Sequence, residues 1–215
     1  MADREDHRSR SEPLEIVATV LLSLAVVGTA WSSYQAARWN GEQAKTATRA
    51  NAVRIEAARA ESESEAQTEI DVATFIQWVD ATAADDQELA DFYEARFRPE
   101  FQPAFEAWLD EEPFTDADAP PTPFAMSEYR LESAADAKRL DAEAEVLSAQ
   151  VRTDIERATT YVLGVVMFAI VLFFAGLSTK LQGDGTTKAM LGVGAVVFVG
   201  ATIWIATRPI SISFG

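Results

Sequence analysis

Carboxylates are the only chemically competent side chains that this sequence carries in quantity. In 215 residues, 34 Asp and Glu stand against 18 Lys and Arg, one His and no Cys, for a formal charge of −16. Between Glu61 and Glu145 alone there are 24 carboxylates and five basic residues. Close carboxylates can share acid–base work if an apolar pocket raises the pKa of one of them. They can also hold a hard divalent cation if several oxygens fold around one point, usually with a Gly at the turn. Glu61, Glu63, Glu65 and the run Asp110-Glu111-Glu112 supply oxygens but no such loop. Asp116-Ala117-Asp118-Ala119-Pro120 has neither the loop length nor the Gly. The expectation is a solvated acidic surface with no metal, no cofactor and no catalytic set, so not an enzyme. Such a surface also fits a saline habitat or repulsion between copies.

The remaining chemistry is thin. His7 lies in a tail of charge and Ser, Gly183-Asp184-Gly185 reads as a turn rather than a phosphate loop, and zero Cys excludes disulfides, thiolate metal sites and thiol nucleophiles. The acidic balance excludes a nucleic-acid binder, which needs cations to displace phosphate counterions.

Three apolar blocks must position everything else: Leu14 to about Ala37, Tyr161 to about Leu177, and Met190 to about Thr207. A helix needs roughly 20 mostly apolar residues to cross ~30 Å of hydrocarbon. The last two blocks are apolar on every face, unlike the striped surface helix of a soluble protein. The fold class expected is an all-α integral membrane protein. It has three transmembrane helices (14–37, 161–178, 189–207), with a long extramembrane antiparallel helical hairpin and a small helical cap between the first and second. Residues 1–13 are expected to be a disordered cytoplasmic tail. The rival reading of the first block is a signal peptide cleaved near Gly28-Thr29-Ala30, but the leading segment is not basic: Arg4, Arg8 and Arg10 are matched by Asp3, Glu5 and Asp6. Trp31, Tyr34, Trp39, Tyr161 and Trp204 fit the interfacial aromatic belt. Arg4, Arg8, Arg10, Lys180 and Lys188 against Arg208 put the N-terminus in the cytoplasm of a bacterial inner membrane and the middle segment outside.

Residues 38–70 are rich in Ala, Arg, Glu and Gln, strong helix formers, and Asn40-Gly41 reads as a tolerated cost or kink in an outgoing arm. On a returning arm over 127–160, Leu140, Ala144, Leu147, Val151 and Ala158 fall three and four apart, with Ile155 near the remaining slot, as in a coiled-coil seam. In the acidic cap, 71–126, Val72, Phe75, Ile76 and Val79 fall at helical spacing, as do Leu89, Phe92, Tyr93 and Phe97, then Phe101, Phe105, Trp108 and Leu109, with breaks at Pro99, Pro103 and Pro113. Its aromatics read as a core, with a groove for an unidentified protein partner as the sharper alternative. Counting from the membrane ends sets Arg38 level with Arg157, so partners across the arms sum to roughly 195. That expects Arg49 near Glu145, Arg54 near Asp141 and Arg59 near Asp136.

Ala25, Thr29, Ser33 and Ala37, with Gly192, Val196 and Gly200, form small-residue stripes at fourfold spacing and are expected to pack helices and copies together. The partners expected are membrane lipid and further copies of the chain. The function expected is a non-enzymatic scaffold or partner-binding protein. Its alternative is an oligomeric cation channel with an acidic vestibule, lined by Thr19, Ser23 and Gln35.

The segment Trp31-Ser32-Ser33-Tyr34-Gln35-Ala36, directly after the first span, resembles the Trp-x-Tyr-Tyr-Gln-Ala-like segment of the uncharacterised bacterial membrane proteins called domain of unknown function 4337. Those proteins are similar in having one N-terminal span, a long helical insert and a closing two-span hairpin. Ser33 stands where they have an aromatic, and the acidic cap has no counterpart. The resemblance implies an architecture and carries no functional residues.

Overall fold

The computed structural model describes residues 2–181 and 183–211. It is all-helical, with no strand among the described residues: α1 is Ala2–Ala83, α2 Gln87–Glu94, α3 Gln102–Asp110, α4 Glu132–Ser178 and α5 Asp184–Ala206, with a 3-10 turn at Pro123–Ala125. Three of these, α1, α4 and α5, contain stretches long and apolar enough to cross a membrane. The helical backbone reaches back to Ala2, where the sequence suggests a disordered tail; the side chains of residues 1–13, His7 included, lie outside the described ones. Helix α1 runs through Asn40-Gly41, and a Cβ on Gly41 would meet nothing within 4 Å.

The chain divides into two units, residues 1–48 with 148–215 and residues 49–147. The inner third of each expected arm therefore belongs with the apolar helices.

In the first unit, the buried face of α1 comprises Ala18, Leu21, Ala25, Ser32, Gln35 and Trp39, with half-buried Gly28 between them. Steps of three and four alternate, which keeps one stripe facing its neighbours on a helix of 3.6 residues per turn. Helix α4 presents Asp154, Ala158, Tyr161, Phe168, Val171, Ala175 and Ser178, and α5 presents Leu191, Ala201 and Ile205. The helices approach closely where glycine removes the side chain: a Cβ on Gly28 would lie 2.7 Å from the Phe168 ring, and one on Gly164 would lie 2.6 Å from Ile205.

Within one chain the fourfold stripes are only partly used. Ala25 is buried and Thr29 half-buried, but Ser33, Ala37, Gly192, Val196 and Gly200 are exposed. A strict four-residue step turns about 40° away from its neighbour each time, so the stripe winds off the contact. The aromatics expected at the interface divide by exposure. Tyr161 and Trp39 lie on the seam and are buried, while Trp31 and Tyr34 face outward together with ring centroids 6.1 Å apart.

In the second unit, Ala50, Val53, Ala57 and Asp71 of α1 and Ala144 of α4 are buried. Antiparallel contacts join the two helices. Arg49 Nη2 donates to Glu143 at 3.1 Å, and Ser133 Oγ donates to Gln67 Oε1 at 2.9 Å. Helix α1 ends in a left-handed cap: Asp85 has φ 57°, its N–H bonds the Thr82 carbonyl, and the Asp86 N–H bonds that of Ala81. The Asp86 carboxylate then caps α2 by accepting from the Leu89 N–H at 3.1 Å. Pro103 sits in the first turn of α3, where its missing N–H is harmless.

Phe75, Trp78, Phe97, Phe101, Phe105 and Trp108 form one buried cluster, extended by Phe124 and Tyr129. Edge-on pairs dominate, such as Trp78 on Phe105 at 4.8 Å and Phe75 on Trp108 at 5.3 Å, the geometry favoured by aromatic quadrupoles. Trp108 Nε1 donates to the Pro120 carbonyl at 2.7 Å, which pins the proline-rich connection onto this core. Tyr129 packs with the cluster and Leu131 is buried, so residues 127–131 belong with the cap and α4 begins only at Glu132.

Candidate functional site

Five polar residues occupy seam positions that would ordinarily be apolar: Ser32, Gln35, Asp71, Asp154 and Ser178 are all buried. Burying such groups is costly unless they are bonded; Ser32 Oγ has no partner among the described residues, and the partners of Gln35, Asp71 and Asp154 show what each holds.

The first group lies in the apolar-helix unit. Gln35 is fully buried, and its Oε1 accepts from the Ser211 N–H at 2.9 Å while its Nε2 donates to the Ser211 carbonyl at 3.5 Å. One side-chain amide thus holds both backbone groups of a residue beyond α5. Tyr161, also fully buried, donates its O–H to the Pro209 carbonyl at 3.1 Å. Together they clamp the segment after α5 onto α1 and α4. Beside the clamp, Asp154 takes the slot that sequence spacing suggests for Ile155, which instead points outward. Asp154 accepts from Gln150 Nε2 at 2.8 Å and Arg157 Nη1 at 3.3 Å. The Arg157 guanidinium also lies 4.6 Å from the Trp39 ring centroid, and that of Arg208 lies 5.4 Å from the Trp204 centroid. Both aromatic contacts leave guanidinium edges able to donate. Arg38 Nε and Nη2 are buried with no acceptor among the described residues.

The second group is in the cap. Asp71 is fully buried, and its Oδ2 accepts from Arg98 Nη1 at 2.9 Å and the Tyr129 O–H at 3.1 Å, while Oδ1 has no partner among the described residues. Arg98 also reaches Glu100 at 3.1 Å. Burial pushes the Asp71 carboxyl above its ordinary 3.8, against the opposing pull of Tyr129 and Arg98. Burial raises the Tyr129 hydroxyl above 10.0 as well. The group ties α1, the α2–α3 connection and the segment leading to α4 into one knot.

The cross-arm pairs are shifted from the expected register. Arg49 takes Glu143 rather than Glu145, and Glu145 lies 3.7 Å from Arg54. Arg54 and Asp141 line the same cleft. Among the described residues no ion pair joins Arg59 to Asp136, which instead takes Arg139 at 3.0 Å, one turn along its own helix. A local pair orders less chain than one reaching across helices. Gln35 was legible as a pore-lining or packing residue but not as a clamp. Asp71 and Asp154 had a usable signal, each being in phase with the small and apolar residues of its seam.

Among the described residues no group of three or more acidic or His side chains is placed to hold a metal ion. No protein-family model matches the chain, and no curated protein or solved structure shows significant similarity to it.

Proposed function

We propose that this protein is a non-enzymatic membrane scaffold whose three spans associate with further copies of the chain and carry an acidic helical hairpin and cap outside the cytoplasm. The observation that carries the reading is the placement of glycines. Gly28, Gly164 and Gly194 are used inward, where a Cβ would lie 2.6–3.3 Å from a neighbouring helix. On α5, Gly192 and Gly200 face outward with open space around them, and Val196 between them is 74% exposed. A glycine facing lipid gains nothing and weakens its helix by about 1 kcal/mol relative to Ala. A flat small-residue face repays that cost when another helix lies on it.

The cap supports a binding or spacing role rather than chemistry. Most of its aromatics are spent on its own core, Phe92 and Phe114 being exposed, and its surface is rich in carboxylates. Neighbouring caps of that charge repel, which spaces copies held together by their spans. The vestibule of a cation channel is the competing reading, but Gln35 is committed to Ser211, so of the three residues expected to line a pore only Thr19 and Ser23 are exposed.

The test is native mass measurement in lipid discs. The parent chain is expected as an oligomer, and Gly192→Leu with Gly200→Leu as a smaller species of unchanged helicity. A monomeric parent defeats the proposal. Cation currents in planar bilayers, lost on neutralising cap carboxylates, would replace the scaffold with the channel.

A further inference from the structure

Beyond the clamp, the end of the apolar-helix unit holds a cleft of about 230 Å³, lined by Thr153, Arg157 and Thr160 of α4 and by Arg208 and Pro209 of the clamped segment. We propose that this cleft binds the headgroup of a membrane aminophospholipid, with the phosphate between Arg157 and Arg208 and the ammonium at Glu156. The inference rests on the reading that the three apolar helices cross a membrane.

Four observations support it. The first is the state of the two guanidinium groups. Arg208 has no carboxylate within ion-pair distance among the described residues, and Arg157 spends one nitrogen on Asp154. Each is steadied by an indole, so little side-chain freedom is lost when an acceptor arrives. A phosphodiester offers two charged oxygens to such a pair, and charge-assisted bonds of this kind are the strong ones.

The second is that the wall is built rather than loose. Pro209 lines the cleft, and its carbonyl is bonded by buried Tyr161 while Gln35 holds Ser211 two residues on. The third is what adjoins it. Val162, Leu163 and Val166 on α4 and Ile203 on α5 are exposed apolar side chains within two turns of the cleft residues, where acyl chains would lie. Arginine and aromatic side chains at the end of an apolar span are the usual furniture of the headgroup layer.

The fourth is Glu156, which also lines the cleft. A carboxylate on the rim opposes a purely anionic ligand such as phosphatidylglycerol or free phosphate. It favours a headgroup that brings its own cation at a few ångströms from the phosphate, as phosphoethanolamine does.

The experiment uses the full chain, delipidated in detergent, and reads lipid retention by native mass spectrometry together with the midpoint of thermal unfolding. Phosphatidylethanolamine is expected to be retained and to raise the midpoint; phosphatidylglycerol is expected to do so several-fold more weakly. Inorganic phosphate and glycerophosphoethanolamine, which lack chains, should shift it little at the same concentration. Arg208→Gln, an exposed site that does not disturb Asp154, should lower retention about tenfold. Arg157→Gln should do the same, and Glu156→Gln should abolish the preference between the two lipids. Equal retention by parent and Arg208→Gln would overturn the proposal, as would equal protection by inorganic phosphate. A chain found outside the membrane fraction of cells would defeat the membrane reading itself, whereas a membrane-bound chain with indifferent lipid retention would defeat only the site.

Discussion

Gln35 and Ser211 are 176 residues apart in sequence and joined by two hydrogen bonds through one side-chain amide. The donor and acceptor of a single backbone unit are both satisfied by a residue in the middle of a helix, so the segment after α5 has one allowed position along α1. Gln35→Leu keeps the volume and removes both bonds. Leaving the Ser211 N–H and carbonyl without partners should cost about 1–3 kcal/mol. Hydrogen exchange at the Ser211 amide should accelerate while amides in the middle of α5 stay protected. Unchanged protection at Ser211 would show that the clamp is not what holds the segment.

The buried carboxylate in the cap sets an unusual pH dependence. Asp71 has a folded pKa raised above 3.8, so the folded state holds its proton more tightly than the unfolded chain. Its contribution to stability is fully present below 3.8 and is lost as pH rises through the folded value. Tyr129 acts in the same direction at alkaline pH, being raised above 10.0. The cap should therefore lose stability as pH climbs from 3.8 through the raised folded value of Asp71, the reverse of a carboxylate held down by a salt bridge. Asp71→Asn should flatten that slope in thermal melts of the intact protein. Arg98→Met, which strands the buried carboxylate, should cost about 3 kcal/mol near neutrality. A slope that persists in Asp71→Asn assigns the titration to another group.

Two glycines of the same helix should respond oppositely to alanine. At Gly28 the added Cβ lies 2.7 Å from the Phe168 ring and forces α1 and α4 apart, at a cost of about 1–3 kcal/mol. At Gly41 there is open space inside a helix, and alanine should stabilise by about 0.5–1 kcal/mol. Thermal midpoints in one detergent compare the two directly. Destabilisation by Gly41→Ala would reveal a break in α1 that glycine is needed to make.

Sidedness is open to a labelling test, since the chain has no cysteine to interfere. Asp118→Cys, exposed on the cap, should react with an impermeant maleimide in cells whose outer membrane is permeabilised. Reaction only after lysis would place the cap in the cytoplasm and invert the proposed orientation.

The all-helical class and the three long apolar helices are legible because Pro and Gly are sparse in α1 and the apolar blocks are long; the helix ends are not, α1 running on to Ala83 and α4 starting at Glu132. Nor is the fine phase. Fourfold spacing of Ala25, Thr29, Ser33 and Ala37 looks like a stripe on paper, yet its end lies about 120° around the helix from its start. The true seam is harder to see because it mixes Ala, Gly, Ser, Gln and Trp, and hydrophobicity alone does not link those types. Asp154 is masked by Ile155 for the same reason: the apolar neighbour is out of phase with the seam and the charged residue is in phase. The clamp was invisible because its other half is backbone, and a carbonyl at Pro209 or an amide at Ser211 leaves no mark in the identity of a side chain.

The long-range contacts are nested in sequence. Asp71 meets Arg98 across 27 residues and Tyr129 across 58; Gln67 meets Ser133 across 66, Arg49 meets Glu143 across 94, and Gln35 meets Ser211 across 176. Closing the largest of these loops from an open chain costs only about 1.7 kcal/mol more than closing the smallest, because loop entropy grows with the logarithm of length. Kinetically the difference is larger, since distant contacts form late unless nearer ones have already shortened the path. Each inner closure brings the next pair within reach, so the chain can zip from the Asp71 knot outward. The last tooth of that zip is a glutamine made early in synthesis, which has no partner for its amide until residue 211 arrives.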